Sequence, residues 1–137
     1  MNYKDFYNHK KEIEGLNFKY KIEVEEKYGN SSAFKESQKK TNKYSKDDWN
    51  LIMSNQTELF SMFAYQMNDF KSIEAQKLVR EWKDFITNHY YTCTDDILRG
   101  LGELYVSDRR FVENIDKTKP GLAKFISDSI NYYCNNL

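Results

Sequence analysis

The most constraining feature of this sequence is a helical repeat of apolar side chains between residues 75 and 90. Residues there recur at intervals of three and four, the spacing that places side chains on one face of an α-helix. This face comprises Ala75, Leu78, Val79, Trp82, Phe85, Ile86, His89 and Tyr90. Ser72 precedes the repeat and is a residue type preferred at helix N-caps. The sequence therefore predicts a long amphipathic helix in this region.

The same spacing predicts helices on both sides of this repeat. Ser45 begins the segment SKDD, which resembles a capping box, and apolar residues from Trp49 to Phe70 follow at helical intervals. Thr94 and the two aspartates after it predict a helix that begins there and extends to about Val106.

Shorter helical segments are predicted at the two ends of the chain. Residues 3 to 28 carry a sparse apolar face, residues 30 to 43 form a short polar helix, and Ser107 and Asp108 start another turn. Pro120 fits the first turn of a last helix that begins just before Leu122. Residues 1 to 20 have the least apolar surface to bury, so we expect them to form an arm that docks on the domain late or only under some conditions.

Composition supports an all-α fold in one domain. The 137 residues include one proline and five glycines, too few for the many tight turns of a β-rich chain. Lysine and arginine together number 21, as do aspartate and glutamate, so no net charge attracts nucleic acid or an anionic membrane. The 11 tyrosines, 9 phenylalanines and 2 tryptophans exceed the needs of a core of this size and favour an amphipathic binding surface.

The chain also lacks the signals of secreted or membrane proteins. Its start, MNYKDFYNHKK, has no apolar segment of a signal peptide, and no apolar run approaches the roughly 18 residues of a membrane span. Cys93 and Cys134 are too few and too far apart for a disulfide framework. We therefore expect a reduced, cytoplasmic protein.

The stretch RGLGELYVSDRRF, residues 99 to 111, contains two glycines but no dinucleotide-binding motif. Such a motif requires a third glycine and a preceding strand. Apolar residues keep helical spacing through Gly100 and Gly102, which places both glycines inside a helix at about 1 kcal/mol each relative to alanine. Two explanations remain: close approach of another helix, or a groove in which a ligand occupies the space of the missing side chains.

Three segments resemble the TipA-type antibiotic-recognition domain (TipAS), the effector module of certain MerR-family activators. They are EVEEKYGNSSAFKESQKKTNKYSKDDW (23 to 49), NHYY (88 to 91) and LGELYVSDRRFVENIDKTKPGLAKFISDSI (101 to 130). The resemblance implies a single globin-like domain of about six to eight helices. It also implies a central cleft for thiopeptides and other large aromatic antibiotics, with N-terminal helices that become ordered around the ligand.

The sequence departs from the family pattern at two places. The MerR-type DNA-binding part is absent from these residues, so we expect something other than a complete regulator. Some family members carry a cysteine before Leu-Gly-Glu that adds to a dehydroalanine of the antibiotic; Gly100 stands there, which excludes capture through that position. Cys93 lies about two helical turns earlier, beside a helix N-terminus that can lower a thiol pKa. It is a candidate reactive thiol, with an inert, half-buried thiol as the default interpretation.

The candidate ligand-binding residues form three groups. The first is an aromatic wall for flat heterocycles: Trp49, Trp82, Phe85, His89, Tyr90 and Tyr91. For Trp82 or Phe85 alone we favour an ordinary core position. His89 and Tyr90 lie at the polar end of their helix, and for these two we favour the cleft. The second is the less apolar face of the glycine helix, formed by Asp96, Gly100 and Glu103; a solvated face is the alternative, and we favour it for Glu103. The third is Tyr28 and Tyr44, where the resemblance places the closing helices, and surface tyrosines explain these two equally well.

No enzyme or metal site is predicted. We expect Asp108 to cap a helix and Arg109 to pair with Glu113, rather than to form a phosphate clamp. His9 and His89 are too few for a metal site, and no cofactor is expected.

The sequence thus predicts a stand-alone module that binds and sequesters an antibiotic without changing it, and that itself contacts neither nucleic acid nor membrane. Two alternatives remain open. One is the ligand-sensing effector fragment of a MerR-type activator, and the other is a domain whose cleft accepts an amphipathic partner helix.

Overall fold

The computed structural model describes residues 32–137, which form six α-helices joined by short loops. In chain order these are α1 (Ser32–Thr41), α2 (Lys46–Tyr65), α3 (Ile73–His89), α4 (Asp95–Ser107), α5 (Arg109–Asp116) and α6 (Leu122–Asn135). No strand occurs in this range, so the all-α prediction is confirmed there. The helix predicted over residues 3 to 28, the arm of residues 1 to 20 and Tyr28 lie outside the described residues.

Side-chain caps define the starts of three helices, as the sequence predicts. The Ser45 hydroxyl accepts from the Asp48 amide at 3.1 Å, and the Asp48 carboxylate accepts from the Ser45 amide at 2.9 Å, which completes a capping box. Ser72 and Thr94 cap α3 and α4 in the simpler way, each through one hydrogen bond to its own first turn. Each such cap contributes typically about 1 kcal/mol.

The start of α6 differs from the prediction. Gly121 is the N-cap with a φ of 87°, and the helix begins at Leu122, so the assignment of Pro120 to the first turn is wrong. The left-handed backbone at Gly121 turns the chain before the helix begins and leaves Pro120 outside it. Asp116 of α5 supplies the missing cap, since its carboxylate accepts from the amides of Gly121 at 3.2 Å and Ala123 at 2.9 Å.

Helices α2 to α6 share one apolar core. The predicted face of α3 is buried from Ala75 through Ile86, with His89 and Tyr90 half-buried at its end. The buried face of α6, which includes Ile126 and Ile130, packs most extensively against α4. Burial of each such large apolar side chain stabilises the fold by roughly 1.5–3 kcal/mol.

Helix α1 attaches to this core through polar contacts and buries none of its own residues. The Glu36 carboxylate accepts from the amide of Thr92 at 2.8 Å and from its hydroxyl at 2.9 Å. The Lys40 ammonium donates to the carbonyl oxygen of Thr87 at 2.8 Å. These contacts, called the α1 latch below, join α1 to the carboxyl end of α3 and the loop that follows it.

Candidate functional site

Several of the predicted aromatic residues meet where the α1–α2 loop crosses the end of α3. The Trp49 ring lies 5.3 Å from Tyr44, edge to face, and 6.3 Å from Tyr90, measured between ring centroids. The Tyr44 hydroxyl donates a hydrogen bond to the carbonyl oxygen of His89. All three rings are partly buried against the core, as is Tyr91. The structure thus brings together residues that are up to 46 positions apart in the sequence.

Phe85 and His89 continue this aromatic surface along α3. The two rings lie 4.8 Å apart in an edge-to-face arrangement, and Phe85 lies 6.3 Å from Tyr90. We call Tyr44, Trp49, Phe85, His89 and Tyr90 the aromatic cluster. Edge-to-face pairs of this kind contribute about 0.5–1.5 kcal/mol each beyond burial, so these rings stabilise one another's positions.

Trp82 occupies the core below the cluster. Its side chain is 5% exposed and stacks on Phe85 at 5.2 Å. The indole N–H donates to the Tyr105 hydroxyl at 3.1 Å, which satisfies its buried polar atom. The interpretation of Trp82 as a core residue therefore fits its surroundings in the described part of the chain.

A groove of about 350 Å³ opens between α2 and α3 beside the cluster. Helix α2 contributes Asn55, Glu58, Leu59 and Met62, and α3 contributes Glu81, Asp84, Phe85, Asn88 and His89. Of the predicted ligand-binding residues, Phe85 and His89 line it. The other seven lining residues, which include three carboxylates and Met62, are not predicted. On each helix the lining residues are three or four positions apart, which places them on one face of that helix. The spacing does not indicate that the face of α2 lies next to the face of α3.

The titratable groups of the cluster are neutral near physiological pH. Burial and the nearby Lys40 lower the pKa of His89, which favours the uncharged imidazole. Burial raises the pKa of Tyr90 to about 12 and also raises the pKa of Tyr44. The cluster therefore presents uncharged rings to any ligand that contacts it.

The two glycines of α4 have different surroundings. A Cβ atom on Gly102 would lie 2.9 Å from Cγ2 of Ile130, so this glycine permits the close approach of α6. A Cβ atom on Gly100 would have no such neighbour within 4 Å. Asp96, Gly100 and Glu103 form an exposed face of α4, and none of them lines the groove. Close helix packing therefore explains Gly102, whereas a ligand groove at Gly100 stays a prediction.

Cys93 is a buried thiol with raised pKa. It is 3% exposed and unoxidised, and burial raises its pKa to about 11. Desolvation of the thiolate outweighs the favourable charge of Lys83, so the pKa is raised although a helix N-terminus lies beside the thiol. The inert-thiol interpretation fits this environment.

The charged segment after α4 has the structural role that its sequence predicts. Asp108 caps α5 by accepting from the Arg110 amide at 2.9 Å, and its carboxylate pairs with the Arg110 guanidinium at 2.7 Å. This pairing lowers the pKa of Asp108. Arg109 pairs with Glu113 at 2.9 Å on the exposed face of the helix.

Residues 32–137 offer neither a metal site nor a membrane span. No group of three or more histidine, cysteine or acidic side chains is placed there to hold a metal ion. None of the six helices combines the length and the apolar character that crossing a bilayer requires.

Comparison with known proteins identifies the family. The model of the TipAS antibiotic-recognition domain matches residues 20–133. The chain belongs to the TipAS family. The predicted resemblance is thereby confirmed over most of the sequence.

Relatives of the TipAS family include longer proteins. The chain is 38% identical over 127 residues to the HTH-type transcriptional activator mta of Bacillus subtilis, covering 92% of this chain and 49% of that protein. It is 37% identical over 114 residues to the HTH-type transcriptional activator TipA of Streptomyces coelicolor, and the match covers 81% of this chain and 45% of that protein. The chain thus spans about half the length of these curated relatives.

A solved TipAS structure has the same fold. The TipAS protein of a thiopeptide antibiotic multidrug resistance system from Streptomyces lividans, solved in complex with nosiheptide, superimposes with a TM-score of 0.79. It is 36% identical to this chain, and the match covers 85% of this chain and 84% of that one. The predicted fold class is therefore confirmed.

Proposed function

We propose that this chain binds thiopeptide-like or other large aromatic antibiotics and makes no chemical change to them. The observation that carries the proposal is the similarity, in sequence and fold, to a TipAS protein solved with nosiheptide. The aromatic cluster supports it, because uncharged rings beside a groove suit flat heterocycles. We propose sequestration in the cytoplasm as the direct consequence of such binding.

We propose two surfaces as the ligand contacts. One is the aromatic cluster with Tyr91, which Trp82 supports from the core below. The other is the exposed face of α4 formed by Asp96, Gly100 and Glu103, whose open space fits a bulky ligand. Tyr28, which lies outside the described residues, remains part of the proposed site through the family resemblance alone.

The relatives support a second candidate function, ligand sensing as the effector part of a transcriptional activator. The two proteins compared above are HTH-type activators, and the chain matches about half of each. We propose that the antibiotic-binding chemistry is the same in both cases. In neither case does this chain itself contact nucleic acid. A helix-turn-helix encoded upstream in the same reading frame would favour the activator.

Titration of the full chain with nosiheptide tests the proposed function. We expect saturable calorimetric binding at one ligand per chain, and unchanged ligand and protein masses after the complex is denatured. If nosiheptide does not bind under conditions where the chain is folded, the proposal is contradicted. A changed ligand mass would indicate an enzyme instead.

A Gly100→Cys variant tests whether the antibiotic lies against α4. The open space at Gly100 accommodates the new side chain. A bound dehydroalanine-bearing thiopeptide should then form a thioether: the thiol sulfur bonds to the alkene carbon and its proton moves to the neighbouring carbon. The intact mass should therefore increase by the whole antibiotic mass. Lys119→Cys, another exposed position, is the control for nonspecific addition and should form adduct much more slowly.

A further inference from the structure

The groove between α2 and α3 carries three carboxylates that no basic residue neutralises in the described part of the chain. Glu58 extends from α2, and Glu81 and Asp84 extend from α3. The ion pairs formed within residues 32–137 use other acidic residues, at positions 36, 95, 108, 113 and 128. No lysine or arginine of residues 32–137 lines the groove. Its rim therefore carries an excess of carboxylates although the whole sequence has a net charge of zero, and the nearest cation that acts on its lining is Lys40, which lowers the pKa of His89.

Between these carboxylates Leu59, Met62 and Phe85 supply the apolar part of the lining, beside the amide side chains of Asn55 and Asn88. Leu59 and Phe85 belong to the core or pack against it, while Met62 is 41% exposed. His89 completes this lining with an imidazole whose lowered pKa keeps it uncharged at neutral pH. The apolar side chains offer no ligands to an inorganic cation, and within residues 32–137 no group of three or more ligands is placed to hold a metal ion. An apolar body that bears a positive charge fits both parts of the groove.

We infer that this groove selects organic cations with a flat aromatic body over neutral or anionic compounds of the same size. Its volume of about 350 Å³ lies at the lower end of the range for small-molecule sites, which suits a body of a few fused rings. The aromatic body lies against Phe85 and Met62, and the cation faces Glu81 and Asp84. The inference rests on the proposed function, since it assigns a preferred charge to compounds bound by the same surface.

Dye titrations of the full chain, freed of nucleic acid, test this inference. The probes are ethidium, a flat aromatic cation, phenylnaphthylamine, a neutral compound, and anilinonaphthalene sulfonate, an anion. We expect ethidium to bind more tightly than the other two and to lose affinity as salt is added, because salt screens its attraction to the carboxylates. The double variant Glu81→Gln, Asp84→Asn should weaken ethidium binding roughly three- to tenfold and leave phenylnaphthylamine binding unchanged.

A second double variant separates the groove from the overall charge. Glu74→Gln, Glu113→Gln changes the net charge by the same amount at exposed positions outside the groove, and ethidium should bind it as it binds the unaltered chain. Equal ethidium affinity in all three proteins, or no preference for ethidium, overturns the inference. Nosiheptide is titrated into the same proteins. Failure of nosiheptide to bind the unaltered chain contradicts the proposed function, whereas an unselective groove alongside nosiheptide binding contradicts the inference alone.

Discussion

Gly100 and Gly102 lie two residues apart in α4 but have opposite structural requirements. At Gly102 the side chain of Ile130, which is fully buried and β-branched, leaves no room for a methyl group. At Gly100 the same group would project into open space. The lack of a side chain is therefore required for packing at one glycine only.

Alanine substitutions at the two glycines should change stability in opposite directions. We expect Gly102→Ala to lower the free energy of unfolding by about 1–3 kcal/mol, because Ile130 has to shift. Gly100→Ala is the matched control and should raise it by about 0.5–1 kcal/mol, since alanine is the better helix former. Urea unfolding of both variants measures the difference. A Gly102→Ala protein as stable as the unaltered chain would show that α4 and α6 adjust without strain.

Cys93 should react slowly with thiol reagents in the folded protein. Its pKa of about 11 leaves roughly one thiol in a thousand ionised at pH 8, and its burial further limits access. We expect iodoacetamide to label Cys93 rapidly only in denaturant, as followed by intact mass in a Cys134→Ala background. Rapid labelling of the native protein would return Cys93 to consideration as a nucleophile.

Among the elements, α1 differs from the other five helices in how it is held. The α1 latch consists of hydrogen bonds at the surface, and no residue of α1 is buried. A helix attached in this way opens locally at lower free energy than one that packs into the core. We therefore expect α1 amides to exchange hydrogen much faster than those of α6.

Removing the Glu36 carboxylate should detach α1 and leave the core intact. We expect Glu36→Ala to accelerate exchange of the α1 amides by roughly tenfold, because two hydrogen bonds to Thr92 are lost. Exchange in α6 should not change. Lys39→Ala, at an exposed position of the same helix, is the control. Equal exchange of α1 in the two variants would show that the latch does not hold the helix.

The latch also gives α1 docking a pH dependence. The Thr92 hydrogen bonds lower the pKa of Glu36 in the folded protein. A lowered pKa stabilises docking above the ordinary glutamate value of about 4.3, and this contribution disappears as the pH falls through the folded-state pKa. The protection of the α1 amides in the unaltered protein, measured as exchange relative to the intrinsic rate at each pH, should therefore fall below about pH 4 and approach that of Glu36→Ala.

At the element scale the sequence is informative about local structure and uninformative about which elements meet. Ser45 with Asp48, Ser72 and Thr94 predict three helix starts because each cap lies within a few residues of the amide it satisfies. The start of α6 is mispredicted because its cap, Asp116, belongs to another helix. The groove is missed for the same reason, since a face on α2 and a face on α3 give no sign that they adjoin. The family is identified from the resemblance, whereas the helices are predicted from the local spacing of apolar and capping residues.

For the whole molecule, the two tryptophans separate surface binding from a change in the core. Trp49 is half-buried in the aromatic cluster beside the groove, whereas Trp82 is buried and hydrogen-bonded to Tyr105. A ligand that covers the cluster changes the polarity around Trp49 and leaves the surroundings of Trp82 as they are. The position of the emission maximum reports this polarity for each tryptophan.

We therefore expect nosiheptide to shift the emission maximum of a Trp82→Phe protein and to leave that of a Trp49→Phe protein unchanged. Both variants keep an aromatic ring, and circular dichroism confirms that each is folded. Calorimetric affinity provides a second measurement, because Trp49→Phe should weaken binding more than Trp82→Phe if Trp49 contacts the ligand. A shift carried by Trp82 alone would mean that ligand binding rearranges the core around Tyr105, and the cluster would then not be the contact surface.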